Sequence, residues 1–178
     1  IYLHGNLFLS EVRVLPLAAQ VFPFYRPKPL CEKQFQILFN QYSDYRKKYI
    51  YGRLFYSRKG VKDLFLRAIY ELRLQRGNLP LYIGVPVRHA KAIPMFSAEW
   101  QLLLFYFLHC HGLTIGSINE STKHYFLTWA SLPTIPQAFL AIDEYIQILR
   151  KLSVSNLSCV CSKEQLIQVL YSEIIAIY

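Results

Sequence analysis

The sequence is short of the features that mark secreted and membrane-spanning proteins. Its four cysteines are too few and too irregularly spaced for the disulfide framework of a small secreted domain. Its longest apolar run, 100–110, is interrupted by Gln101 and falls short of the roughly 20 residues that a membrane helix needs. We therefore expect a reducing compartment and no membrane span.

Patterns that carry catalysis are also missing. The sequence contains no glycine-rich phosphate loop and no nucleophile elbow. A zinc site assembled from residues 109–111 with Cys159 and Cys161 would lack the ligand spacing of zinc fingers, so these side chains are better explained by packing. We expect no metal, no cofactor and no small-molecule substrate.

Charge is scarce, and what there is has mostly one sign. Charged residues make up 17% of the 178 residues, and the formal net charge is +9. Residues 26–91 hold fifteen Lys and Arg against four Asp and Glu, a local net charge of +11, so the rest of the chain is slightly acidic. So little charge beside 53% hydrophobic residues indicates that neighbouring proteins cover part of the surface.

The basic region alternates its cations with tyrosine and phenylalanine. Clustered cations attract phosphates, and aromatic faces among them stack on unpaired bases, so the region predicts binding of RNA or DNA. An ordinary solvated basic face is the plain alternative, and an anionic membrane surface is a weaker one. The cations predicted to bind nucleic acid are Arg46, Lys47, Lys48, Arg53, Arg58, Lys59, Lys62, Arg67, Arg73 and Arg76.

Three segments of the second half carry clear helix signals. Residues 98–111 are apolar nearly all round and are followed by Gly112, which predicts a helix at the centre of the fold. Pro136 suits the first turn of an amphipathic helix. Ser162 and Gln165 match a capping box before a final helix.

The remaining segments alternate predicted helices and strands. Helices are predicted over 32–42 and 60–76, the second of them apolar on two sides. Runs rich in β-branched and aromatic residues predict the strands 48–56, 113–118, 123–129 and 157–161. The two halves of the chain then share a similar order of elements, which suggests an internal duplication.

Several local strings resemble the two-repeat LAGLIDADG homing endonucleases and intron maturases. Residues 5–8 resemble the start of the first signature helix, and residues 91–94 and 107–112 resemble the approach to the second helix and its ending. Residues 127–131 and 162–166 resemble the strand-to-helix join and the final helix. The resemblance implies an α+β fold of two pseudo-symmetric repeats, 1–90 and 91–178, with antiparallel saddle sheets and two central helices, packed as one unit.

The chain departs from that family at the positions of the family's catalytic residues. The family cleaves DNA with one metal-binding carboxylate at the end of each signature helix. At the matching positions stand Ser10 and His111, and only Glu11, one residue beyond Ser10, offers a carboxylate nearby. We therefore expect a pseudo-endonuclease in which Ser10, Glu11 and His111 are vestigial and no residue is catalytic.

Together these observations predict an RNA-binding structural component of a ribonucleoprotein. Because homing endonucleases are typical of organellar genomes, the resemblance implies a mitochondrial ribosome, or alternatively a chloroplast one, with rRNA and neighbouring ribosomal proteins as partners. A maturase-like splicing cofactor for one intron is the first alternative. A DNA endonuclease that is still active through Glu11 is the second.

Overall fold

The chain folds as a bundle of helices. The structure, a computed structural model, describes residues 32–56, 63–74 and 79–175. The α-helices are α1 (Glu32–Tyr56), α2 (Leu64–Glu71), α3 (Ser97–Cys110), α4 (Glu120–Trp129), α5 (Pro136–Lys151) and α6 (Lys163–Ile175), and the 3₁₀ helices are Ala90–Ala92 and Ile115–Ser117. These ranges contain no strand, so the predicted α+β fold with antiparallel saddle sheets is wrong.

Helix α3 lies at the centre of the bundle, as its sequence predicts. Every residue from Ser97 to Leu108 is buried. Such a helix, apolar on all sides, needs partners on all sides. Helix α2 packs directly against it, while α5 lies against α4, α6 and the 3₁₀ helix Ala90–Ala92. The helix ends where predicted, because Gly112 takes the left-handed backbone conformation at φ 61°.

Helix α1 runs straight through the predicted strand 48–56. The buried positions Phe35, Phe39, Tyr42, Arg46 and Ile50 recur every three or four residues, which is the period of a helix face. Of the residues that favoured a strand, Ile50 therefore belongs to a buried helical stripe, whereas Tyr51 and Phe55 are exposed on the opposite side of the helix. The N-terminal half of α1 packs on α6, so contacts cross the boundary between 1–90 and 91–178.

Helix α4 replaces the predicted strand 123–129. The Asn119 side chain accepts a hydrogen bond from the backbone N–H of Thr122 at 2.9 Å and caps the helix, so a helix starts between the predicted strands 113–118 and 123–129. Lys123 is almost fully buried, and its ammonium lies 2.8 Å from Asp143 on α5. Burial alone would lower the pKa of Lys123, but the hydrogen bonds that its ammonium donates to Asp143 and Glu120 raise it.

The other two predicted strands are irregular or 3₁₀. Residues 113–118 contain the 3₁₀ helix Ile115–Ser117, in which the Ser117 hydroxyl accepts from the Thr114 N–H at 3.0 Å and donates to its carbonyl. Residues 157–161 form a loop. The Asn156 side chain accepts from the backbone N–H of Ser158 at 2.9 Å, so this part of the loop bonds locally instead of to a partner strand.

The two local signals of the last helices are confirmed. Helix α5 begins with Pro136 and carries Arg150 and Lys151 in its last turn. Before α6, the Ser162 hydroxyl and the Gln165 side chain each accept from the backbone N–H of the other residue at 3.1 Å, forming the predicted capping box. None of the described helices is long and apolar enough to cross a membrane.

Residues 79–87 cross the core without forming a helix or strand. Tyr82 to Val87 are all buried, so their backbone polar groups are out of reach of water. Gln101 of α3 satisfies three of them: its Oε1 accepts from Gly84 and Val85 at 2.7 and 3.0 Å, and its Nε2 donates to the Val85 carbonyl at 2.7 Å. The one polar residue that interrupts the apolar run of α3 is thus a backbone clamp.

Two further helices hold the same segment. The Arg46 guanidinium of α1 donates to the carbonyl of Pro80 at 3.0 Å and to that of Ile83. The fully buried Tyr145 of α5 donates its hydroxyl to the Tyr82 carbonyl at 2.9 Å. Segment 79–87 therefore joins α1, α3 and α5 through hydrogen bonds to its own backbone.

Replacing Gln101 with leucine is expected to lower the free energy of unfolding by about 3 kcal/mol, because three buried backbone groups lose their partners. Guanidinium denaturation of the purified protein measures this change. Gln168→Leu, at an exposed position of α6, is the matched control and should change little. Equal effects at both positions would contradict the clamp.

Gly84 should tolerate no side chain. Its φ is 91°, and an added Cβ would lie 2.8 Å from Cδ of Arg46 and 3.0 Å from the Cβ of Ala98. We expect Gly84→Ala to destabilise the fold by about 2 kcal/mol or more. Gly52→Ala in α1 meets nothing within 4 Å and should stabilise by about 0.5 to 1 kcal/mol. Thermal melting of the two variants should thus shift in opposite directions.

Candidate nucleic-acid interface

Helix α1 presents cations and stacked aromatic rings to solvent. Lys47, Lys48, Tyr51 and Phe55 follow one another at helical spacing on the side away from the core, and we call them the α1 solvent face. Tyr51 and Phe55 are each more than half exposed, and their ring centroids lie 4.2 Å apart with 31° between the planes. The exposed Asp44 stands one turn earlier, so the face keeps a net positive charge.

Helix α2 presents a second, smaller group that we call the α2 ridge: Arg67, Tyr70 and Arg73. Tyr70 is 84% exposed, and the two arginines are exposed three residues to either side. The nearest acid on the helix, Glu71, accepts a hydrogen bond from the Tyr106 hydroxyl of α3 at 2.6 Å. Its carboxylate is thereby engaged on the α3 side.

The ten predicted cations divide into three groups. The four on the surface are Lys47, Lys48, Arg67 and Arg73. The four outside the described residues are Arg58, Lys59, Lys62 and Arg76. The other two, Arg46 and Arg53, are held inside the fold by bonds to other groups of the chain. The charge available to a ligand is therefore smaller than the sequence suggests.

Arg46 is only 6% exposed and serves the core. Burial lowers the pKa of its guanidinium, although an arginine remains charged at neutral pH. Its hydrogen bonds to the Pro80 and Ile83 carbonyls replace water. We expect any substitution there to act on folding rather than on binding.

Arg53 bridges two buried carboxylates. Its Nη2 lies 2.8 Å from Asp63, and its Nε donates to Glu99 of α3. Burial opposes the charge, but Glu99 and Asp63 outweigh it and raise the pKa of Arg53. The Tyr49 hydroxyl also donates to Glu99, at 2.9 Å. The guanidinium lies 5.6 Å from the Phe65 ring centroid, so it fastens the end of α1 to both α2 and α3.

Asp63 has a second role as the cap of α2. Its Oδ1 accepts from the backbone N–H groups of Phe65 at 3.0 Å and Leu66 at 3.5 Å. The predicted helix over 60–76 is therefore observed as Leu64–Glu71, with its start set by this cap. Residues 57–62 and 75–78 lie outside the described residues.

The aromatic residues of the basic region also divide between core and solvent. Tyr42 is buried, and the rings of Tyr45 and Tyr49 lie 5.9 and 4.0 Å from that of Phe96, measured between centroids. Burial and the Glu99 carboxylate raise the pKa of Tyr49, so its hydroxyl stays protonated and donates. Among the described aromatic residues of the basic region, the rings that a ligand could stack on are therefore the exposed ones of α1 and α2.

Of the three positions predicted to be vestigial, one lies within the described residues. Ser10 and Glu11 lie outside the described residues. His111 is exposed at the end of α3, where its ring centroid lies 4.5 Å from that of Phe107 and 5.0 Å from that of Tyr125. Across the described ranges, no three His, Cys, Asp or Glu side chains are placed to hold a metal ion.

A cleft of about 310 Å³ opens beside the Arg53 bridge. Met95, Leu103 and Trp129 form its apolar walls, and the Arg53 bridge to Asp63 forms its polar side.

Glu99 is a functional residue of the bridge that the sequence does not reveal. It lies in the first turn of α3. No sequence signal indicates its pairing with an arginine 46 residues earlier, because that contact depends on how α1 crosses α3.

Comparisons with family models, curated proteins and solved structures found no match. The interface therefore has to be judged on its own residues.

Arg53→Met is expected to destabilise the protein by about 3 kcal/mol, because two buried carboxylates lose their cation. Arg53→Lys keeps the charge but cannot bridge both acids with one planar fork, so its loss should be intermediate. Urea denaturation at neutral pH would measure both. A methionine variant as stable as the wild type would show that the bridge contributes nothing to folding.

Proposed function

We propose that this protein binds RNA through the α1 solvent face. The observation that carries the proposal is the placing of two exposed lysines one turn from the stacked, exposed Tyr51–Phe55 pair. Ammonium groups neutralise phosphates, and an aromatic pair offers its outer face to a base. RNA suits such a surface better than duplex DNA, since its loops and bulges leave bases unpaired.

The fold itself does not require this face. The rings of Tyr51 and Phe55 point away from the core-facing side of α1, so they contribute little to the core. Lys47 and Lys48 are exposed in the same turns. A surface that concentrates one charge beside large exposed aromatic rings is typical of a binding site.

We further propose that the protein works as a structural component of a ribonucleoprotein. Large apolar side chains are also exposed outside α1, among them Val160, Leu140 and Ile135. Protein neighbours in an assembly would cover them. A mitochondrial ribosome remains a prediction from the resemblance. The saddle sheets that the same resemblance implies do not occur in the described residues. Co-sedimentation of the native protein with ribosomes on a sucrose gradient tests this part.

Reversing the two lysines, Lys47→Glu with Lys48→Glu, should weaken RNA binding and flatten its dependence on salt. Each phosphate contact with a single strand contributes roughly 0.7 to the slope of log K against log salt, so the slope should fall by about 1.4. Fluorescence anisotropy with a labelled RNA oligonucleotide between 50 and 200 mM salt, roughly the range over which such contacts are revealed, is the measurement.

The matched control carries the same change of charge elsewhere. Arg150→Glu with Lys163→Glu reverses two exposed cations on α5 and α6 and should leave the affinity nearly unchanged. Equal losses from both double variants would show that RNA responds only to net charge. Preferential binding to anionic vesicles, with RNA failing to compete, would favour a membrane surface instead.

A further inference from the structure

We infer that the α2 ridge is a stacking site for one unpaired base, with Arg67 and Arg73 contacting the phosphates on either side. The inference rests on the proposed RNA binding and adds a second, separate contact to it. It also specifies the ligand: the RNA that crosses α2 is single-stranded, because a base inside a duplex offers no free face.

Tyr70 is the most exposed aromatic ring in the described part of the chain. No ring contact involving it occurs among the described residues, and its neighbours Phe65, Ala68 and Ile69 on α2 are the ones that pack against the core. Tyrosine is a weaker helix former than alanine or lysine, so the position gains nothing for α2. Its ring is free to accept a planar partner from solvent.

The surroundings of Tyr70 favour a nucleotide over a protein. Hot-spot tyrosines in protein interfaces sit at an apolar centre enclosed by a polar rim. Here exposed arginines stand three residues before and after the ring, and Leu66 and Leu72 are partly covered by the fold. An aromatic ring between two cations matches a base between two phosphates, as in single-strand binding grooves.

Arg73 occupies a position that glycine would fill more favourably. It follows the end of α2 with φ 53°, and its N–H donates to the Tyr70 carbonyl at 3.1 Å, while Leu74 donates to Ile69 at 3.0 Å. Such helix ends favour glycine because a side chain is strained in the left-handed region. The Arg73 side chain is therefore present although it strains the backbone at this position.

The end of α1 adjoins the start of α2, because Arg53, two residues before Phe55, lies over the Phe65 ring of α2. Tyr70 stands five residues further along α2. The α2 ridge is therefore a contact separate from the α1 solvent face, and each of the two surfaces can be tested by its own variants.

The test uses the whole chain and one labelled RNA oligonucleotide, either alone or annealed to its complement. Tyr70→Ala should weaken binding of the single strand by about tenfold and leave duplex binding unchanged, since loss of one base stack has roughly that effect. Tyr70→Phe keeps the ring and should bind as the wild type does. Because Tyr70 is exposed, its variants should melt normally.

Arg73→Gly separates binding from folding. The variant should melt at a higher temperature than the wild type, while its RNA affinity falls and its salt slope drops by about 0.7. Ser153→Gly relieves the same backbone strain at another helix end, φ 56°, and should raise the melting temperature without changing RNA affinity. A merely structural role for Arg73 would not produce opposite changes in stability and affinity.

The outcomes distinguish this inference from the proposed function. If the Lys47 and Lys48 reversal weakens binding while Tyr70→Ala leaves single-strand affinity intact, RNA binding stands and the stacking site is overturned. If the wild type binds neither RNA form, both fail. If Tyr70→Ala weakens binding to polyglutamate as much as to RNA, the ridge recognises an acidic protein segment and the inference is also overturned.

Discussion

The structure depends on satisfying a buried stretch of backbone that belongs to no helix. Residues 79–87 pass through the interior, where each unpaired N–H or carbonyl would cost more than a typical hydrogen bond contributes. Gln101, Arg46 and Tyr145 supply the missing partners from three different helices. The relative placement of α1, α3 and α5 is therefore specified by polar groups as well as by apolar packing, and Gly84 leaves the space that Arg46 fills.

Three of the cations are used inside the fold, and this determines where the outward charge is found. Arg46 binds carbonyls, Arg53 joins α1 to carboxylates of α2 and α3, and Lys123 joins α4 to α5. The net charge of +9 therefore does not mean that positive charge is spread evenly over the surface. Positive groups beside exposed aromatic rings occur on the α1 solvent face and the α2 ridge, which is why the proposed contacts with RNA concentrate there.

The elements that sequence reasoning predicted correctly are those set by local interactions. The central α3, the proline start of α5 and the capping box before α6 involve residues within one or two turns of each other. The strands failed at 48–56 and 123–129, where tyrosine, isoleucine and phenylalanine favour either structure. Tertiary packing decided for helices, because a continuous buried stripe along α1 and the buried Lys123 of α4 both need the helical period. The resemblance to LAGLIDADG proteins implied saddle sheets built from such strands, so the α+β fold that it implied is wrong for the same reason.

By itself the sequence determined that the chain is helical at α3, α5 and α6, and that its cations concentrate between residues 26 and 91, where aromatic residues stand among them. Only the tertiary structure decided which of those groups a ligand can reach. Arg46 bonds a carbonyl 34 residues away and Arg53 a carboxylate 46 residues away, whereas Lys47 and Lys48 in the same helix are exposed to solvent. Composition and spacing are properties of neighbours along the chain, whereas the pairing of a guanidinium with a distant carbonyl or carboxylate depends on how the helices cross.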